Sequence, residues 1–179
     1  MAIVYGTDTD LTPKAYSDSD YAGCKVTAKS TYGYVFTVAG GPVSWKSKRA
    51  TTIALSTHEA EYNALTEAVR EIQWLRGLYE ELQRPIQGPI TLHSDNQSAI
   101  STAKDPKHHN RTKHTLVRFQ YVRHEVKNAT VAIQYLETAL MPADGLTKPL
   151  NTIKFGVFIG LLGLQRLPTE PKTAFLSDY

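Results

Sequence analysis

Apolar residues recur at spacings of three and four through Leu65, Ala68, Val69, Ile72, Leu75, Leu78, Tyr79 and Leu82. That period is the inward stripe of a helix. Ser56 and Glu59 stand three apart as a capping box that starts it near Thr57, and Pro85 stops it after about Arg84. One turn back from Leu65 along the stripe stands Glu61, so a carboxylate lies on the face that packs. Such a group needs a cation or hydrogen-bond donors beside it.

The other elements follow from shorter patterns. Lys14 to Asp18 reads as a strand running into the acidic Asp18-Ser19-Asp20, and Gly23 turns the chain. Tyr32, Tyr34, Phe36 and Val38 alternate, Gly40-Gly41 supplies a tight turn, and Val43 with Trp45 resumes the alternation, which predicts a hairpin. Pro89 to Asp95 is a strand that follows a helix and so lies parallel to its neighbour. Asn96 to Ala103 is a short helix, and Leu116, Phe119, Val122 and Val126 mark another. Thr130 to Leu136 is the last strand. Pro142 opens a helical turn that holds Asp144, and Thr152 to Leu164 is an apolar helix. The order β-β-β-α-β-α-α-β-α predicts an α/β fold with a mixed five-stranded sheet, three antiparallel strands then two parallel ones, flanked by helices. Residues 1–164 are expected to form one domain and 165–179 a C-terminal tail without periodicity.

Composition changes this picture little. A chain of 179 residues, 41% apolar and 21% charged, suits one globular domain. The net charge of +3 permits nucleic-acid binding without arguing for it. The single cysteine, Cys24, excludes an internal disulfide and a Cys-based zinc site, which fits a reducing compartment. No apolar run approaches the roughly 20 residues that span a membrane, so no membrane partner is expected. Lys46, Lys48 and Arg49 form one basic cluster, and Lys107, Arg111 and Lys113 belong to a second within Lys104 to Lys113. Both read either as solvated turns or as contacts to a phosphate backbone.

The acids carry the chemistry. Asp18 and Asp95 each close a strand pattern, while Glu61 and Asp144 each fall in a first helical turn. Strand ends and the starts of connecting helices gather at one edge of an α/β sheet, so four acids from distant parts of the chain can converge there. Clustered carboxylates repel unless cations hold them, and oxygen-only ligands select Mg²⁺ or Mn²⁺. Two such ions about 4 Å apart suit phosphodiester hydrolysis. Each acid also has a plainer reading, as a turn or cap residue or as an acid complementing a helix dipole.

Five blocks in order sharpen the choice: Tyr16-Ser17-Asp18-Ser19-Asp20-Tyr21-Ala22-Gly23, Val43-Ser44-Trp45-Lys46-Ser47-Lys48, Leu55-Ser56-Thr57-His58-Glu59-Ala60-Glu61-Tyr62, His93-Ser94-Asp95-Asn96-Gln97-Ser98-Ala99 and Ala143-Asp144-Gly145-Leu146-Thr147-Lys148-Pro149-Leu150. Together they resemble the signature blocks of the ribonuclease H domain of copia-type (Pseudoviridae) retrotransposon polyproteins, over roughly Tyr16 to Leu164. The resemblance implies a ribonuclease H-like fold and a metal-dependent endoribonuclease that hydrolyses the RNA strand of RNA–DNA hybrids during reverse transcription. It implies Asp18, Glu61, Asp95 and Asp144 as catalytic residues that bind two Mg²⁺ ions, with Mn²⁺ as the alternative metal. Asp20, on the same strand face as Asp18, is the substitute if that match fails. Asn96 and Gln97 match positions that touch the RNA strand in related enzymes, and read equally well as caps of the following helix.

The implied partners are the hybrid and the reverse transcriptase of the parent polyprotein. The implied location is the cytoplasm, in the virus-like particle of the element, or the nucleus. Two alternatives keep the fold, a catalytically silent nucleic-acid-binding or connection module and a DNA-acting nuclease. In cellular ribonucleases H the region matching Asn96 to Ala129 includes a basic protrusion that grips the DNA strand, so the resemblance implies a shorter equivalent here, with Lys107, Arg111 and Lys113 on the nucleic-acid backbone. Those enzymes also resemble one another in a loop histidine before the last Asp, which Thr130 to Ala143 lacks here. Its absence bears on turnover and leaves metal-dependent cleavage available. His114 and His124 fall in the helical pattern.

Overall fold

The computed structural model describes residues 1–7, 11–105 and 113–166, with the side chains of residues 113–115 left aside. The strands are β1 (Ala2–Ile3), β2 (Lys14–Asp20), β3 (Thr31–Val38), β4 (Gly41–Arg49), β5 (Ile90–Ser94), β6 (Val131–Tyr135) and β7 (Leu164–Gln165). The helices are α1 (Thr57–Glu81), α2 (Gln97–Lys104), α3 (Lys113–Lys127) and α4 (Thr152–Leu161), with 3₁₀ turns at Thr138–Leu140 and Pro142–Leu146. Five strands form one sheet in the order β4-β3-β2-β5-β6, antiparallel across β4-β3-β2 and parallel across β2-β5-β6. This is the mixed sheet expected. Two-residue strands β1 and β7 add a small antiparallel sheet, so β7 straddles the boundary drawn at residue 164.

α1 packs along one face of the sheet. Leu65, Ala68, Val69, Ile72 and Leu75 are buried against Ala15, Phe36, Ile90, Leu92 and Ile133, and α2 and α3 complete this core through Ile100, Phe119 and Val122. The stripe runs past the core, for Leu82 is 62% exposed. Ser56 Oγ accepts the Glu59 N–H at 3.1 Å, as a cap should. The Glu59 carboxylate accepts from Leu55 N–H instead of from Ser56, a box shifted by one residue. The helix stops three residues short of Arg84 because Gln83 takes a left-handed φ of 58°, and Arg84 N–H then bonds back to Tyr79 C=O.

The β3–β4 hairpin turns on Ala39-Gly40, one residue earlier than expected. Val38 pairs with Gly41, and both loop residues have positive φ, 49° and 82°, the type I′ geometry that matches strand twist. A register shift after Phe36 leaves Val43 out of the pairing. The other face of the sheet carries the Pro142–Leu146 turn. Gly33 permits this, because a Cβ there would stand 2.8 Å from Leu146 Cβ and 3.2 Å from Ala143 C=O.

Candidate metal centre

β2 and β5 pair in parallel with Ala15 opposite Leu92 and Tyr16 opposite His93. The two rings stack with centroids 5.0 Å apart, and the same register carried two residues on sets Asp18 beside Asp95. Asp18 is not the last residue of its strand, since β2 continues to Asp20 along β3 after its pairing with β5 has ended. Glu61 reaches the same edge from the first turn of α1. Carboxylate oxygens of Asp18, Glu61 and Asp95 lie within 4.8 Å of one another, with Asp18 and Glu61 buried.

Asp144 comes from the 3₁₀ turn and not from a helix continuous with α4. Pro142 opens that turn, and the chain after Thr147 leaves it through Lys148-Pro149. Asp144 stands close enough to raise the pKa values of Asp18 and Glu61, while its own carboxylate pairs with the Lys148 ammonium. Three acids thus meet closely, with the fourth at the rim on a lysine. Asp20 lies outside the triad, its carboxylate folded over Gly23, where a Cβ would stand 1.7 Å from Asp20 Oδ2.

The electrostatics of the triad are unfavourable as it stands. Burial pushes the Asp18 carboxyl from 3.8 up to about 6, with Asp95 and Asp144 adding to the rise and the Thr147 hydroxyl opposing it. Burial pushes Glu61 from 4.5 up to about 9, again with help from Asp18 and Asp95 and against a bond from the Ser19 N–H. Glu61 Oε2 is buried with no hydrogen-bond partner. Buried acceptors without donors are rare in proteins. An orphaned carboxylate oxygen facing two further carboxylates is an all-oxygen donor set for a divalent cation. These residues fit Mg²⁺ or Mn²⁺.

Two hydroxyls hold two of the clustered carboxylates in place. Thr147 Oγ1 donates to Asp18 Oδ2 at 2.8 Å, and Thr138 Oγ1 donates to Asp95 Oδ2 at 2.7 Å. Neither threonine nor Lys148 was legible as a site residue. Thr147 and Lys148 lie three and four residues after Asp144, the spacing that returns a side chain to its own turn. Thr138 has no such signal, and it comes from the loop that lacks the histidine.

The residues expected to meet nucleic acid are distributed unevenly. Asn96 caps α2, its Oδ1 accepting the Ala99 N–H at 2.9 Å, while Gln97 opens that helix and is exposed. Lys48 pairs with Tyr32, and Tyr32 with Ser19, which puts the basic end of β4 two strands, roughly 10 Å, from the acids. Lys48 and Arg49 are exposed, but Lys46 is half-buried, 3.5 Å from the Glu67 carboxylate and over the Tyr34 ring. Lys48 also lines a recess of about 250 Å³ with Arg70 and Arg118, two cations the sequence pattern did not single out. Lys107 and Arg111 fall outside the described residues, and Lys113 opens α3 with its side chain outside them.

No family model matches the chain. Its fold is shared with LC11-RNase H1 in complex with an RNA/DNA hybrid, at a TM-score of 0.55 and 15% identity over 75% of this chain and 93% of that one. It is shared too with the prototype foamy virus protease-reverse transcriptase, at a TM-score of 0.56 and 12% identity over 80% of this chain and 22% of that one. The fold is ribonuclease H-like.

In sequence, 159 residues are 40% identical to the retrovirus-related Pol polyprotein from transposon TNT 1-94 of Nicotiana tabacum, covering 89% of this chain and 12% of that polyprotein. The corresponding polyprotein from transposon RE1 of Arabidopsis thaliana is 34% identical over 88% of this chain and 11% of its own length. The chain is a homologue of the copia-type retrovirus-related Pol polyproteins, and it spans about a tenth of the length of the curated relatives it matches.

Proposed function

We propose that this domain hydrolyses the RNA strand of RNA–DNA hybrids during reverse transcription of a copia-type element, with Asp18, Glu61, Asp95 and Asp144 as its catalytic, metal-holding residues. The observation that carries this reading is the convergence of Asp18, Glu61 and Asp95 around an orphaned Glu61 oxygen. A surface evolved only to bind phosphates gains nothing from buried negative charge, which argues against a silent binding module. The ribonuclease H-like fold and the Pol homologues support the substrate.

Held by Asp18, Glu61, Asp95 and Asp144, a pair of Mg²⁺ ions would supply the Lewis acidity that activates a water and stabilises the leaving oxygen of the phosphodiester. The chain's own part is to bind and orient. Glu61, whose carboxyl burial pushes up to about 9, would lose its proton on holding a cation, so uptake would be coupled to proton release. Thr147 and Thr138 fix Asp18 and Asp95 against rotation, and Lys148 pairs with Asp144 at the rim. Lys48 and Arg49, with Lys107, Arg111 and Lys113, hold the hybrid's backbone. Asn96 and Gln97 sit next to Asp95 where the RNA strand passes, and Lys46 acts mainly on Glu67.

The test is cleavage of end-labelled RNA–DNA, RNA–RNA and DNA–DNA duplexes with and without Mg²⁺. Metal-dependent cutting of the RNA in the hybrid alone is expected. Cutting of DNA assigns the domain to the DNA-acting nucleases of this fold, and binding without cutting assigns it to the silent modules.

A further inference from the structure

The four acids differ in what answers their charge. Asp18, Glu61 and Asp95 stand together, and Glu61 Oε2 among them has no hydrogen-bond partner. Asp144 lies outside that group, and its Oδ1 already holds a cation from its own chain, the Lys148 ammonium. The charge of Lys148 also reaches Asp18 and Asp20. A lysine therefore stands on the fourth acid of a cluster whose other three acids lack any cation.

The turn fixes the backbone of Lys148 and leaves its side chain free to move. Thr147, the residue before it, shares its hydroxyl proton between Asp18 Oδ2 at 2.8 Å and Asp144 C=O at 2.9 Å, which pins the main chain beside the acids. The Lys148 side chain is 37% exposed and tied at its tip to Asp144. Beside it opens a recess of about 300 Å³ that Asp144 and Lys148 both line, with Val157, Phe158 and Leu161 as an apolar wall. A lysine stem is flexible and lies readily along apolar surface while its ammonium stays in water. The ammonium can thus leave Asp144 by side-chain rotation alone, the stem moving onto that wall.

We propose that Lys148 is a built-in counter-ion that holds Asp144 until a second divalent cation displaces it. This rests on the metal-holding reading of the four acids and adds an order to it, the Asp18, Glu61 and Asp95 group first and Asp144 second. An ammonium and a divalent ion on one carboxylate oxygen stand only a few Å apart and repel, in a half-buried place that water screens poorly. Two divalent ions balance four ionised carboxylates by themselves. The ammonium is needed while the second ion is absent and superfluous once it is bound. Lys148 consequently weakens the second ion and leaves the first alone.

The experiment titrates Mn²⁺ into the chain and follows the free ion by electron paramagnetic resonance, with folding checked by circular dichroism. Expected is one ion bound in the wild type and a second at least tenfold more weakly. Lys148→Met and Lys148→Gln, either of which removes the charge, should tighten the second ion at least tenfold and leave the first unchanged. Lys148→Arg should keep the wild-type pattern, and Asp144→Asn should lose the second ion alone. Two ions of equal affinity in the wild type overturn the proposal. So does a charge-removing variant whose second ion binds no more tightly than the wild type's, or one in which both ions shift together, as a merely structural lysine would give. Cleavage is not measured. A wild type that binds no Mn²⁺ refutes the metal-holding reading and this proposal with it, whereas a normal first ion beside an unchanged second refutes the role of Lys148 only.

Discussion

Glu61 and Glu71 lie ten residues apart on the same helix and both turn toward the sheet, but the scaffold treats them oppositely. Glu71 accepts from the Tyr34 hydroxyl at 2.9 Å and from Ser44 Oγ at 2.6 Å, tying α1 to the hairpin. One turn earlier, Glu67 is likewise supplied, with Arg70 at 2.9 Å and Lys46 at 3.5 Å. Glu61 meets carboxylates where its neighbours meet donors, and one of its oxygens has no partner. Two of the three acids serve the fold. The third is held among carboxylates with a raised pKa, a place that on the proposed reading a divalent cation would relieve.

The largest expected effect separates the two kinds of acid by activity. Glu61→Gln, like Asp95→Asn, should lower hybrid cleavage in saturating Mg²⁺ by at least about 100-fold, beyond the 10–100-fold typical of residues that only support a ligand. Glu71→Gln should leave cleavage within a few-fold of wild type, which a single-turnover assay reads. Support residues come next: Thr147→Val and Thr138→Val should each weaken Mg²⁺ affinity roughly 10-fold while Thr147→Ser retains it.

Stability should then run the other way. Without divalent cations, Glu61→Gln should unfold in denaturant at or above the wild-type midpoint, whereas Glu71→Gln should cost about 1–3 kcal/mol through lost charge-assisted bonds. The pH dependence follows from the same asymmetry. Asp18 and Glu61 have folded-state pKa values raised to about 6 and about 9, so the folded chain binds more protons than the unfolded one between about pH 4 and those values. Metal-free stability therefore falls as pH rises through that window, by on the order of 3 kcal/mol for Asp18 alone by neutral pH. A melting temperature that rises from pH 5 to pH 8 without metal would falsify the buried-acid account. Added Mg²⁺ should stabilise most at the high end.

The smallest effect concerns the basic residues. Neutralising Lys48 and Arg49 together should reduce the log–log salt slope of hybrid binding by about two, and Lys46 should change it less because Glu67 already holds it.

What the sequence made legible were features with a period or a local rule. Glu61 is legible because helical phase is geometric, and the five strands because alternation and turn residues mark them. Asp18 and Asp95 were placed at one edge from strand endings, although their closeness depends on the Tyr16–His93 register, which no local pattern states. Thr138 and Thr147 act on acids 43 and 129 residues away, contacts only folding creates. The two-residue strands β1 and β7 are too short to carry any period. The pattern of α4 says that the helix is apolar without saying that none of its residues is buried.

The central claim is that Asp18, Glu61 and Asp95 jointly hold a divalent cation. Calorimetric titration of Mg²⁺ or Mn²⁺ into the wild-type chain and into Asp18→Asn, Glu61→Gln and Asp95→Asn, repeated in buffers of different ionisation enthalpy, tests it most directly. The account predicts saturable binding with proton release in the wild type and loss of that binding in each variant. Wild-type binding in the Glu61→Gln chain, with no change in proton release, would contradict it.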